Sequence, residues 1–136
     1  MKTKAVQQKH IDGCGPAALA TVLGISYDAA LKIVHPNRKP RGPANTWPYK
    51  LQIAMRRAKL RYMKRTLRKW SPPKHDAIVN IQWPSGLRHW VVWSADQNKF
   101  LDPASERRHK KYGKYYSNRK YINAFNRGRK LLYTIG

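Results

Sequence analysis

Cys14 is the only cysteine of the 136-residue chain. It stands in "HIDGCGPAALATVLG", between two glycines and ahead of a proline and a small apolar run. A structural cysteine usually sits among Val, Ile and Leu inside an element. This one stands at the entrance of a predicted helix, where unpaired backbone N–H groups and the positive end of the helix dipole favour a thiolate. Gly13 is read as allowing a backbone conformation that a side chain would forbid. A nucleophilic thiolate needs a base, and histidine titrates near neutrality. Of His10, His35, His75, His89 and His109, only His89 heads a well-marked strand, "HWVVWSA". Asp102 follows thirteen residues later in "KFLDPA", at the end of the next strand and fixed by Pro103. A carboxylate there is placed to hold the tautomer of the imidazole and to stabilise its cation. Each residue alone has an ordinary explanation: Cys14 as a small buried side chain, His89 as a satisfied strand residue, Asp102 as a turn former. Together and in this order they point to acyl-transfer chemistry.

Positioning such groups requires a core. Helices are predicted over 15–23, closed by Gly24, over 27–34 behind the cap Ser26, and over 47–60 behind the cap Thr46. In the third, Leu51, Ala54, Met55 and Ala58 share one face. The pattern then changes period. Strands are predicted at 77–83, 89–95, 99–102 and 130–135, with a late helix between Ser117 and Gly128. The class is α+β, N-terminal helices packed on an antiparallel sheet, in a single domain spanning 1–136. A hydrophobic fraction of 41% argues against disorder. No apolar run approaches the roughly 20 residues of a membrane span, and the N-terminus lacks a signal-peptide core. One cysteine excludes an intramolecular disulfide, so a cytoplasmic location is expected.

The segments "Q-x5-C-G-P-A-A-L-A-x-V-L", "H-W-V-V" and "D-P-A" resemble the papain-like cysteine peptidases of the bacteriocin-processing, double-glycine type, in a free-standing form. The resemblance covers roughly residues 5–135. It implies a small papain-like α+β fold and hydrolysis of a peptide or isopeptide bond. It implies Cys14 as nucleophile, His89 as general base and acid, Asp102 as orienter and Gln8 as oxyanion-hole donor. Gln7 is the rival for the last role. Gly13 departs from the acidic or bulky residue that many members carry directly before the cysteine. No transporter follows, so the leader specificity of transporter-fused members does not carry over. No cofactor is expected. A metal site built on His10 and Cys14 is disfavoured, because Asp12 and Gly13 interrupt the helical spacing and no second Cys/His pair has ligand spacing.

The charge is not a family trait. Lys and Arg number 29 against 6 Asp and Glu, a formal +23. Such a chain attracts polyanions. The excess concentrates in 56–69 and 106–120, the latter interleaved with tyrosines. Arg107, Arg108, Lys110, Lys111, Tyr112, Tyr115 and Tyr116 are therefore candidates for nonspecific nucleic-acid contact, on a surface expected to be separate from the Cys14 site. The bland reading of such a run is a solvated basic face. The alternative to a peptidase is a nucleic-acid-binding or host-protein-binding module on a peptidase-like fold. A small basic chain of this kind suits a virus or mobile element, with the host cytoplasm as its location.

Overall fold

The computed structural model describes residues 3–136. Three helices come first: α1 (Cys14–Leu23), α2 (Tyr27–Val34) and α3 (Pro48–Arg57). Strands β1 (Tyr62–Thr66), β2 (Ala77–Gln82), β3 (Arg88–Ser94) and β4 (Lys99–Leu101) follow, then α4 (Ser105–Tyr112), α5 (Asn118–Arg127) and β5 (Leu131–Ile135). The five strands form one sheet in the order β1-β5-β2-β3-β4, every neighbouring pair antiparallel.

The sheet is covered on both faces. Ile78, Trp90, Val92 and Tyr133 pack with α1, α2 and α3 on one side. Val79, Val91, Trp93 and Leu132 pack with Tyr121, Ala124 and Phe125 of α5 on the other. This two-sided burial is why "AIVNI" and "HWVVW" read as nearly continuous apolar runs rather than alternating ones. The helix α1 is its counterpart among the helices. Its residues 15–21 are all buried, so it carries no polar face and fills the centre of its layer.

Local signals set most boundaries. Ser26 accepts a hydrogen bond from Ala29 N at 3.1 Å and caps α2. Gly24 takes the left-handed conformation (φ 68°) that ends α1. The expected cap of α3 is corrected: Trp47 occupies the cap position and Pro48 opens the helix, because the fixed φ of proline suits a first turn. Thr46 instead bonds back to Ala44 O at 3.3 Å. Of the predicted apolar face of α3, Leu51, Ala54 and Met55 are fully buried, and Ala58 is partly exposed. Two elements have no counterpart in the sequence reading. The strand β1, "YMKRT", is an edge strand with four exposed residues, and its charges suit an unpaired edge. The helix α4, "SERRHKKY", buries no residue and so shows no apolar stripe.

The two glycines around Cys14 are explained by space rather than by torsion. Gly13 has φ −92° and ψ 19°, which a side-chain-bearing residue also adopts. A Cβ there would overlap the Tyr27 hydroxyl, and a Cβ on Gly15 would overlap the Thr46 side chain. The segment is a close-packed joint where α1, α2 and the 44–47 strand of chain meet. Gly15→Ala is expected to destabilise the fold by about 2 kcal/mol through overpacking, read as a lower urea midpoint. An unchanged midpoint would show that Thr46 yields without cost.

Candidate active site

Cys14 is the first residue of α1 and is partly exposed. The chain reaches it through a tight turn, with Gly13 N donating to His10 O at 3.0 Å. Tyr27 holds that turn by bonding His10 Nδ1 at 2.8 Å. The imidazole of His10 is thus engaged inside the turn.

His89 lies at the start of β3, and Asp102 directly follows β4. The β3–β4 pairing brings the two elements side by side. His89 Nε2 lies 2.7 Å from Asp102 Oδ1, which leaves Nδ1 as the free ring nitrogen. Cys14 is near enough that its thiolate form raises the His89 pKa by charge and by hydrogen bonding. Burial alone would push His89 towards neutrality, but Asp102 and then Cys14 outweigh it and raise the group to about 10.

Asp102 is 3% exposed and uses both oxygens fully. Oδ1 also accepts from Ala104 N at 2.7 Å, and Oδ2 accepts from Arg108 at 2.9 Å and from the Tyr121 hydroxyl at 2.8 Å. Burial would raise the carboxyl pKa. The charge and hydrogen bond of His89 outweigh it, Arg108 and the Ala104 N–H add to them, and the group stays well below the usual carboxylate range. The Arg108 guanidinium lies between the Trp83 and Tyr116 rings, 4.4 and 4.5 Å from their centroids. Trp83 also packs on His89, with centroids 5.7 Å apart. Aromatic faces thus screen the His89–Asp102–Arg108 row from water, which strengthens each ion pair in it.

Gln8 and Gln7, rivals in the sequence, have different surroundings. Gln7 bonds Ser105 Oγ at 3.0 Å and accepts from Glu106 N at 3.0 Å, so its amide fastens the start of α4. Gln8 is 7% exposed and lines the cleft that holds Cys14. Its Nε2 contacts His10 O at 2.9 Å and Ile11 O at 3.0 Å, and its Oε1 has no partner.

That cleft, of about 680 Å³, is lined by Gln8, Cys14 and His89 together with Arg107, Arg108, Lys111 and Tyr112 of α4. The expected separation of the basic segment from the Cys14 site is therefore overturned: α4 is a wall of the site. The row of nucleic-acid candidates divides. Arg108 and Tyr116 are packed around Asp102 and Trp83. Arg107 donates to Lys9 O. Lys111 lies 5.4 Å from the Tyr112 ring centroid. Tyr115 stacks on His109 with centroids 4.5 Å apart, so one face is already covered. Lys110 is exposed. An open ladder of stacking tyrosines does not form. Sequence reasoning also missed Trp83, Tyr121 and Asn80. Asn80 is 4% exposed, lines the cleft and has an unpartnered Oδ1. The one available signal for Asn80 was an amide inside an apolar strand.

Among the described residues no single helix is long and apolar enough to cross a membrane. No protein-family model matches the chain, and no curated protein matches it by sequence. Solved structures do. The peptidase domain of Streptococcus ComA, a bi-functional ABC transporter involved in quorum sensing, superposes with a TM-score of 0.65 at 20% identity, covering 98% of each chain. A double glycine motif protease from an AMS/PCAT transporter, solved in complex with the leader peptide, gives a TM-score of 0.57 at 19% identity. That match covers 98% of this chain and 91% of the other. The chain has the fold of these double-glycine peptidase domains.

Two outcomes follow from the buried ion pairs. Arg108→Met leaves Asp102 Oδ2 without its cation and is expected to cost about 3 kcal/mol in urea unfolding; a loss below about 0.5 kcal/mol, the level of an ordinary surface change, would contradict it. The pH dependence has a definite sign. His89, raised to about 10, contributes stability fully present below the unfolded-state value and lost as pH rises towards 10. Asp102, held low, contributes stability present above the ordinary carboxylate range and lost as pH falls through its depressed value. The stability gap between the wild type and His89→Gln is therefore expected to narrow between about pH 6.5 and 10. A gap that stays constant over that window would show that His89 is not held as a cation.

Proposed function

We propose that this protein is a cysteine peptidase that cleaves a peptide or isopeptide bond through Cys14, His89 and Asp102. One observation carries the reading: a buried His89–Asp102 ion pair beside a partly exposed cysteine at a helix start, with Cys14 and His89 lining one cleft. The fold of the solved peptidase domains supports it, and the leader peptide bound to one of them supports a polypeptide substrate.

The geometry supports the following chemistry. Cys14 Sγ attacks the scissile carbonyl carbon, and the thiol proton resides on His89 Nδ1. Negative charge develops on the carbonyl oxygen, where the Cys14 backbone N–H and the Gln8 amide are the donors. Gln8 Nε2 already contacts two carbonyls, so one of these contacts gives way or is shared when the oxyanion forms. The C–N bond then breaks, and His89 delivers its proton to the departing amine. The resulting thioester is attacked by water, which gives a proton to His89. The C–S bond breaks, the acid leaves, and that proton returns to Cys14. Asp102 keeps Nε2 protonated and the ring aimed throughout.

Exposure to a peptide vinyl sulfone, followed by intact-mass measurement, tests this. One adduct is expected on the wild type and none on Cys14→Ala, with His89→Ala slowed about 100-fold. A folded wild type that takes no adduct would contradict the reading. Gln8→Ala is expected to lower peptide hydrolysis about 100-fold, the usual effect of one lost oxyanion donor, while iodoacetamide still labels Cys14 at near the wild-type rate. Equal losses in both assays would make Gln8 a support for the 10–13 turn instead.

A further inference from the structure

A second cleft, of about 660 Å³, adjoins the first, and Asn45 and Trp47 line both. Its walls come from the end of α2, the loop after it and the outer face of α3. Trp47, Tyr49 and Ile53 give it an exposed apolar lining, at 56%, 60% and 40% exposure. Arg38, Lys39, Lys50 and Arg57 surround that lining, and no carboxylate lines the cleft among the described residues.

The six acidic residues are engaged or placed elsewhere. Asp28 pairs with Lys9, and Asp102 with His89 and Arg108. Asp76 bonds Thr3 and Ala95 N. Asp12 lines the catalytic cleft and accepts from Ala44 N. Asp96 sits in the β3–β4 turn and Glu106 in the first turn of α4. Burial and then Lys50 lower the His35 pKa, which disfavours a positive charge there. Its Nε2 faces Ala44 O at 3.2 Å, and Lys50 Nζ lies 3.5 Å from Nδ1. Arg57 donates to Ile33 O at 2.9 Å. The Nε of Arg38 is buried without a partner. Cations gathered around an apolar lining, with no internal counter-charge, fit a ligand that is apolar and anionic at once.

We infer that this cleft binds an acidic, apolar-anchored segment of the same polypeptide whose scissile bond lies at Cys14. The inference rests on the peptidase reading, because the shared wall of Asn45 and Trp47 lets one peptide run from the reacting bond into the basic cleft. Apolar side chains of that segment seat on Trp47, Tyr49 and Ile53, and its carboxylates face Arg38, Lys39, Lys50 and Arg57. A peptide fits better than nucleic acid because the neighbouring cleft is the one that cleaves peptides, and because the cations enclose a pocket rather than forming a track for a phosphate backbone.

The test uses fluorescein-labelled peptides of alternating Glu and Leu or Gln and Leu, and oligothymidylate of matched length. They are titrated into the wild type, Arg38→Glu/Lys39→Glu, and a control reversal on β1, Lys64→Glu/Arg65→Glu. The Glu/Leu peptide is expected to bind best, to weaken with salt and to lose at least about tenfold in affinity in the cleft variant, as for truncated charge pairs at interfaces, with the control near wild type. Equal binding of the Gln/Leu peptide, equal losses in both variants, or tighter oligothymidylate binding lost in the cleft variant would each overturn the inference. So would the absence of binding to a folded wild type. Vinyl sulfone labelling of Cys14 is expected in the wild type and, at the same rate, in the Lys64→Glu/Arg65→Glu control. It reports separately on the peptidase reading, so failure of labelling and failure of peptide binding are told apart.

Discussion

The carboxylate of Asp102 is the constraint on which the rest of the structure depends. An ionised carboxylate at 3% exposure is stable only when its charge and lone pairs are met. Here four donors meet it, from β3, the β4–α4 turn, α4 and α5. Those same contacts fix where the elements lie. His89 is aimed by Oδ1, α4 is drawn in by Arg108 and α5 by Tyr121. The Gln8 N–H donates to Pro103 O at 2.9 Å, so the segment leading to Cys14 is fastened to the turn that holds Asp102. One charged group thereby links His89, the wall of the cleft and the approach to Cys14.

The positive charge gains a meaning from this arrangement. With 29 cationic side chains and 6 anionic ones, most cations have no partner and are held apart by solvent. Lys9 pairs with Asp28 at the surface, whereas Arg108 is paired with the buried Asp102 and covered by aromatic rings. The cations of α4 and of the second cleft instead line two adjoining clefts. A basic surface built around two adjoining clefts acts on what approaches them, and its influence extends about a Debye length, roughly 8 Å at physiological salt.

Much of this was legible in the sequence, for physical reasons. Strands buried on both faces announce themselves as apolar runs, and helices with a capping Ser or a closing Gly mark their own ends. Cys14, His89 and Asp102 stood out because each sits at an element boundary, where a side chain can leave the core without leaving its scaffold. The sequence was silent where tertiary contact overrides local pattern. The helix α4 has no apolar stripe, so its residues read as a solvated run, although Arg108 and Tyr116 are packed inward. The strand β1 is held by pairing along its whole length with β5, a partner nearly seventy positions away. The need for Gly13 and Gly15 comes from Tyr27 and Thr46, neighbours that no local reading reveals.

The central claim is that Asp102 holds His89 as a cation facing Cys14. The most direct measurement is an NMR pH titration of protein labelled with 15N-histidine, assigned with His89→Gln. The account predicts that both His89 ring nitrogens remain protonated at about pH 8, above the usual histidine range. It predicts that Asp102→Asn returns the titration towards that range. A wild-type His89 that titrates near about 6.5, unchanged by Asp102→Asn, would contradict it.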